Sequence, residues 1–141
     1  PRTSLMGLCR QYFQYGFWKI AVIRKHRLPA RWTHLIPGLF VIAQVLLPVF
    51  AGLLSLGDAD RLAELVRGLW LAMNGSYGLA ILVASVLTAI RAGWDLLPIL
   101  PVTFAVYHLS YGFGFVWGVI SFVLLKRKGD FTSRFVSELT R

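Results

Sequence analysis

Between residues 11 and 19, amide, aromatic and basic side chains recur at spacings that bring them to one side of a helix. They are Gln11, Gln14, Tyr15, Trp18 and Lys19. Amide groups hydrogen-bond sugar hydroxyls, flat aromatic rings pack against the C–H face of a pyranose, and a lysine neutralises a phosphate. The set therefore predicts a binding face for a phosphorylated carbohydrate. The alternative is an aromatic belt that only positions the helix among lipid headgroups.

A second candidate pair, His108 and Tyr111, lies within a long apolar stretch. An ionisable side chain is costly at membrane depth, so His108 should face other helices or a wet cavity. One interpretation places both side chains against a polyprenyl-phosphate headgroup. In the other, His108 hydrogen-bonds to Gln44 or Asn74 and joins two helices, a contact worth about 0.6 kcal/mol on average.

The same stretch contains three closely spaced glycines, Gly112, Gly114 and Gly118. Small residues four apart on a helix, as at Gly114 and Gly118, let two backbones approach closely in a membrane. We expect these glycines to pack against helices of this chain, and self-association is the alternative.

The composition determines which elements can carry these residues. Of 141 residues, 57% are hydrophobic and 15% charged, and the mean hydropathy is +0.65. A soluble domain of this size could not bury so much apolar surface, which excludes a water-soluble enzyme. The net charge of +9 lies at the ends of apolar runs, as in membrane proteins, so we expect the lipid bilayer and no nucleic acid as a partner.

Three apolar runs predict an all-α membrane protein. About 20 residues cross a hydrocarbon core near 30 Å thick, so residues 35–56 and 69–90 are single spans. The third run, residues 96–125, is too long for one span. Because Pro98 and Pro101 disfavour a continuous helix, we expect a Pro-broken interfacial or re-entrant segment over residues 96–103 and a third span over 106–125. The membrane region as a whole covers residues 34–125.

The first 33 residues predict an amphipathic helix lying on the cytoplasmic membrane surface, followed by a basic linker. Ser4 is a plausible N-cap, and no proline interrupts the sequence from there to Lys25. The apolar stripe, expected to face lipid, consists of Met6, Cys9, Phe13, Phe17, Ile20 and Ile23.

The charges give an orientation with one inconsistency. Basic residues before the first span carry no acid among them, which predicts that the N-terminal part is cytoplasmic. The loop after the first span carries Asp58, Asp60 and Glu64 against two arginines, a net of −1, and is expected outside. With three spans, the basic tail of residues 126–141 would also lie outside, against the rule. Either the last run re-enters the cytoplasm or the first helix dominates the orientation.

Catalytic chemistry is not evident in this chain. Asp58-Ala59-Asp60 has the form of an Asp-x-Asp metal motif, but it lies between two predicted spans with no further oxygen ligands nearby, so we treat it as coincidental. Cys9 stands alone and predicts no disulfide or zinc site. We expect no cofactor here and no turnover by this chain alone.

Two blocks carry a family resemblance. The run R-Q-Y-F-Q-Y-G-F-W-K, Arg10–Lys19, resembles the segment just beyond the catalytic domain of bacterial family 2 glycosyltransferases of the succinoglycan (exopolysaccharide) biosynthesis type. The block H-L-S-Y-G-F-G-F-V-W-G, His108–Gly118, resembles their last membrane span. Processive relatives carry Gln-x-x-Arg-Trp on such a helix. Here Gln11 keeps the glutamine, but Gln14 replaces the arginine and Tyr15 replaces the tryptophan. Because the processive motif is not kept, the resemblance implies transfer of a single sugar to a lipid-linked acceptor.

The resemblance also implies parts that this chain lacks. A cytoplasmic catalytic domain before Pro1 would bind the nucleotide sugar with a divalent metal, Mg²⁺ or Mn²⁺, and the chain would be a piece of a longer protein. The expected partners are that domain, the bilayer and a polyprenyl-phosphate-linked sugar. Two alternatives remain: a non-enzymatic membrane subunit or assembly factor docking a cytoplasmic partner, and, less favoured, a small channel or transporter component.

Overall fold

The computed structural model describes residues 4–26 and 32–124, and 92% of them are helical, with no strand in these two segments. The described residues form four α-helices: α1 (Leu5–His26), α2 (Ile36–Leu56), α3 (Asp60–Ala92) and α4 (Leu100–Val119). A π-helical turn, Ile120–Leu124, continues α4, and short 3-10 helices occupy Trp32–His34 and Trp94–Leu96. The predicted all-α class is confirmed. The basic residues 27–31 and the predicted tail, residues 126–141, lie outside the described residues.

Within the two described segments, three helices are long and apolar enough to cross a membrane: α2, α3 and α4 with its π turn, Leu100–Leu124. This confirms a chain compatible with a multi-pass membrane protein. The second apolar helix is longer than predicted, because it begins at Asp60 rather than Leu69. Asp60 places a carboxylate in its first turn, where a negative charge favours helix formation. At 1.5 Å per residue α3 is about 50 Å long, more than a bilayer core requires.

The break before α4 is shorter than the sequence predicted. Gly93, with φ of 125°, ends α3, and Pro98 lies in the turn before α4. Pro101 falls in the first turn of α4, where a helix has no need of the missing amide hydrogen. Thr103 already donates its backbone N–H to the Ile99 carbonyl at 3.0 Å, so the helix is established there rather than at residue 106. The re-entrant or interfacial position of this segment in a membrane stays a prediction.

The chain divides into two compact units, residues 1–41 with 106–141, and residues 42–105. In the first unit, α1 packs along α4. Ser4 caps α1, as predicted, by accepting the Gly7 N–H at 3.1 Å. Phe17 and Ile20 are buried with Phe115 and Phe122 of α4 and the π turn. The expectation that the apolar stripe faces lipid is therefore wrong for Phe17 and Ile20, because another helix of the chain covers them.

Small residues permit this close packing. A Cβ placed on Gly114 would strike the Phe13 carbonyl oxygen, and one on Gly118 would lie 2.8 Å from the Phe17 carbonyl oxygen. In return, a Cβ on Gly16 of α1 would strike the Tyr111 carbonyl oxygen. The two backbones thus touch where side chains would hold them apart.

Gly112 has a different neighbour, since its Cβ would strike the carbonyl oxygen of Pro37 in α2 and lie 2.7 Å from the Val41 side chain. Across the same contact, a Cβ on Gly38 would lie 2.6 Å from the Phe115 ring. The start of α2 therefore packs against α4 within the first unit.

The second unit contains the α2–α3 hairpin. Residues 57–59 make the turn, with Asp58 in the left-handed region at φ of 58°. Gln44 donates its amide N–H to the Asn74 amide oxygen at 2.8 Å, and Trp70 donates its indole N–H to the Gln44 amide oxygen at 2.9 Å. These side chains tie α2 to α3. The indole N–H of Trp70 is thus hydrogen-bonded within the hairpin.

Candidate functional site

An open hollow of about 370 Å³ lies beside α1 in the first unit. We call it the α1 hollow, and its lining consists of Tyr15, Trp18, Lys19, Val22, His34 and Tyr111. Four of these, Tyr15, Trp18, Lys19 and Tyr111, are among the residues predicted from the sequence to bind an acceptor. The fold therefore brings together side chains that are up to 96 positions apart in the chain, Tyr15 and Tyr111.

Three elements supply the lining. Residues 15, 18, 19 and 22 lie on one face of α1, because positions three and four apart are neighbours on a helix. His34 comes from the 3-10 helix Trp32–His34, just before α2. Tyr111 comes from α4, the helix whose backbone is in contact with Gly16. The close α1–α4 packing is thus what brings Tyr111 to this face.

The chemistry of the lining is aromatic with basic groups. Tyr15, which is 55% exposed, Trp18 and Tyr111 offer ring faces, while Lys19 offers an ammonium group and His34 an imidazole. Among the residues that the structure describes, no acidic side chain lines the hollow. Such a surface favours a ligand with an anionic group beside an apolar or C–H-rich face.

The Tyr111 hydroxyl is buried, and within residues 4–26 and 32–124 it has no hydrogen-bond partner. A buried hydroxyl without a partner costs free energy relative to a bonded one. Because almost none of that hydroxyl's surface is accessible, Tyr111 contributes to the hollow through its ring and not through its hydroxyl.

Gln11 acts next to the hollow rather than in it. Its amide donates to the Tyr15 hydroxyl at 2.8 Å, one helical turn away. The Tyr12 ring also meets Tyr15 edge to face, with ring centroids 5.6 Å apart. Tyr15 is therefore held from two sides, and Gln11 is a positioning residue for it.

Tyr12 in turn packs on α4, its ring centroid lying 4.2 Å from that of Tyr107. Burial, followed by the charge and hydrogen bond of the Tyr107 phenol and the charge of Tyr15, raises the pKa of Tyr12 above its ordinary value of 10.0. The Tyr12 phenol is therefore neutral at physiological pH and adds no negative charge next to the hollow.

Some predicted site residues lie elsewhere. Gln14 is half-buried on α1 and does not line the hollow, and His108 is exposed on α4 and does not line it either. Gln44 and Asn74 are bonded to each other in the α2–α3 hairpin. His34 was missed by sequence analysis. The signal that could have suggested it is a histidine directly before the first apolar run, where a polar side chain would lie at a membrane boundary.

The Asp58-Ala59-Asp60 sequence forms the turn between α2 and the first residue of α3. A nucleotide-sugar site needs such a motif after a β-strand, and this one follows a helix. In the two described segments, no group of three or more His, Cys, Asp or Glu side chains could hold a metal ion. The structure gives no support to a metal centre at this turn.

Comparison with known proteins adds no relative. The chain matches no protein-family model, no curated protein and no solved structure at a significant level. The resemblance to family 2 glycosyltransferases therefore rests on the blocks Arg10–Lys19 and His108–Gly118, and it stays a prediction.

Proposed function

We propose that the α1 hollow holds the phosphate-bearing sugar headgroup of a lipid-linked acceptor. In this proposal the chain is the C-terminal membrane module of a bacterial family 2 glycosyltransferase of exopolysaccharide synthesis, with α1 on the cytoplasmic side of the inner membrane. The donor is a nucleotide sugar bound by a catalytic domain outside this chain, together with its Mg²⁺ or Mn²⁺.

The observation that carries the proposal is the meeting of Tyr15, Trp18 and Lys19 with Tyr111 in one hollow. The first three come from the block that resembles the glycosyltransferases' juxtamembrane helix, and Tyr111 comes from the block that resembles their last span. Two separate sequence similarities thus supply one set of lining residues.

Each lining group has a role in this proposal. Tyr15 and Trp18 pack their rings against the sugar, and Lys19 pairs with the phosphate by a charge-assisted hydrogen bond. His34 offers a further nitrogen to the phosphate, and Tyr111 adds a third aromatic ring to the lining. Holding the acceptor in this way lowers the barrier of transfer by orientation, which can contribute several kcal/mol without any reacting group in the module.

Charge recognition is the sharpest test of this proposal. In the 141-residue chain reconstituted in nanodiscs, Lys19→Gln should weaken the binding of a short-chain polyprenyl diphosphate-linked hexose about tenfold, which corresponds to about 1.4 kcal/mol. The matched control is Lys25→Gln, an exposed lysine of the same helix that does not line the hollow. It should leave the dissociation constant unchanged.

A second ligand separates phosphate recognition from general attraction to the bilayer. The corresponding polyprenol without phosphate should bind wild type and Lys19→Gln alike. Equal losses from Lys19→Gln and Lys25→Gln, or no loss from either, would show that Lys19 does not contact the acceptor.

A further inference from the structure

We infer that the carboxyl ends of α1 and α4 lie on the same face of the membrane, so that, of the three apolar helices in the described residues, α2 and α3 cross it completely and α4 does not. The sequence alone left the side of the basic tail open. The contacts between α1 and α4 give the side on which Phe122 lies, four residues before that tail.

α1 and α4 run parallel over most of their common length. Near the start of the contact, the Ser110 hydroxyl donates to the Cys9 sulfur at 3.1 Å. Toward its end, the Phe17 and Phe122 ring centroids are 5.0 Å apart, and the Arg24 guanidinium donates to the Phe122 carbonyl oxygen. As residue numbers rise on one helix, they rise on the other.

A direct hydrogen bond between Arg24 and Phe122 places both residues on one side of the membrane. The hydrocarbon core is about 30 Å thick, and no side-chain hydrogen bond spans it. The chain between Arg24 and Phe122 must therefore cross the membrane an even number of times. The described part of that interval, residues 32–122, contains three apolar helices, so they cannot all be complete crossings.

The relative direction of α1 and α4 also excludes a topology in which all four helices cross the membrane. If α1, α2, α3 and α4 each crossed in turn, α1 and α4 would point in opposite directions. The observed contacts make them parallel. A surface α1 with three crossings after it fails as well, because Arg24 and Phe122 would then be a membrane apart.

The helix that does not cross is α4. Its most apolar window has a mean hydropathy of 1.3, against 2.4 for α2 and 1.6 for α3. Within that window 39% of residues are buried inside the chain, against 11% in each of the other two. A helix whose apolar side chains are buried against its own chain exposes less apolar surface to lipid. The hairpin of α2 and α3, in contrast, can cross the membrane and return.

The charge pattern agrees with this topology. The basic residues around the end of α1 and in the tail are then on one side, and the acidic turn between α2 and α3 is on the other. The basic set comprises Arg24, Lys25, Arg27, Arg31, Lys126, Arg127 and Lys128. This arrangement satisfies the positive-inside rule at both ends of the chain.

Labelling from each side of the membrane tests the inference. In a Cys9→Ser background, single cysteines are introduced by Lys25→Cys, Gly57→Cys and Ser133→Cys, and a membrane-impermeant maleimide is applied to spheroplasts and to inverted vesicles. We expect Lys25→Cys and Ser133→Cys to label from the same side and Gly57→Cys from the opposite side. Detergent-solubilised samples show that all three sites react when exposed.

Labelling of Ser133→Cys from the same side as Gly57→Cys would overturn the inference, and so would labelling of all three from one side. A cross-link tests the underlying contact. With native Cys9 retained, Ser110→Cys should form an intramolecular disulfide under mild oxidation. Thr103→Cys, about 10 Å further back along α4, should not. Absence of the Cys9 cross-link to position 110 would also overturn the inference. None of these readouts depends on acceptor binding, so the proposed function can fail independently.

Discussion

The Gln11 amide and the Tyr15 hydroxyl, 2.8 Å apart, show how a side chain outside a hollow can shape it. A tyrosine that is more than half exposed would otherwise sample several rotamers, and ordering it when a ligand binds would cost conformational entropy. The bond from Gln11 and the edge contact with Tyr12 reduce that freedom before a ligand arrives. Preordering of this kind improves affinity without adding a contact to the ligand.

The Gln11–Tyr15 bond can be tested by a double-mutant cycle. Gln11→Ala and Tyr15→Phe each remove the same hydrogen bond, so each should weaken acceptor binding through the lost ordering of residue 15, by at most about tenfold, the upper value for one hydrogen bond. The double variant should be no weaker than either single variant, because the bond can be lost only once. Gln14→Ala is the control, since Gln14 does not line the hollow. Additive losses would show that Gln11 contacts the acceptor directly.

Helical spacing was enough to predict which α1 side chains of the hollow lie together. Tyr15, Trp18 and Lys19 share a face of α1 by their positions alone. His34 could not be placed beside them, because nothing in the spacing of residues 15–19 indicates which distant segment will pack there. Gln14 was assigned to the same face by its spacing, but it does not line the hollow.

The packing of α1 on α4 is the element that builds the site, and it depends on glycine. Gly16, Gly114 and Gly118 each face backbone atoms of the partner helix. Backbone cannot move aside as a long side chain can, so a methyl group at these positions must push the helices apart.

Gly114→Ala should therefore lower the free energy of unfolding by about 1–3 kcal/mol, the range for overpacking. It should also reduce the disulfide yield between Cys9 and the cysteine of a Ser110→Cys background. Gly75→Ala in α3 is the matched control, because its Cβ would meet no heavy atom within 4 Å. An added methyl there should be neutral or stabilise α3 by up to about 1 kcal/mol, through helix propensity. Unfolding in mixed micelles measures both, and equal stabilities of the two variants would contradict the α1–α4 contact.

Much of the helical architecture followed from the sequence, because uninterrupted apolar runs near 20 residues long specify helices in a membrane. The fate of the apolar stripe on α1 did not follow. An apolar face looks the same in sequence whether lipid or another helix covers it. Phe17 and Ile20 proved to be covered by α4, which only the three-dimensional register of Gly114 and Gly118 reveals.

The α2–α3 hairpin depends on its amide pair in the same way. Gln44→Ala should cost about 1 kcal/mol in unfolding free energy, since it leaves the Asn74 amide oxygen and the Trp70 N–H without their bonds to Gln44. Ser76→Ala is the control: Ser76 is exposed and bonds only to the Met73 carbonyl of its own helix at 2.9 Å. A Gln44→Ala variant as stable as Ser76→Ala would show that the amide pair does not hold the hairpin together.

For the whole molecule, the two-crossing topology gathers the cations of both chain ends at one leaflet. Each basic residue near an anionic leaflet contributes about 1 kcal/mol of attraction. Seven of the chain's lysines and arginines, those at residues 24, 25, 27, 31 and 126–128, lie near the ends of α1 and α4 in the sequence, so the face that bears both ends attracts anionic lipid. A hollow at that face would lie where anionic lipid headgroups are concentrated, as the proposed acceptor site requires.

Pro48 gives α2 a further property. Proline cannot donate a backbone hydrogen bond, so the Gln44 carbonyl, one turn before it, lacks its usual helical donor. The same residue, Gln44, anchors α2 to α3 through its side chain. The part of α2 that is held to α3 by Gln44 thus ends at the turn where α2 lacks a backbone hydrogen bond. Bending at this turn would let the hairpin adjust its tilt to bilayers of different thickness while the amide pair keeps its register.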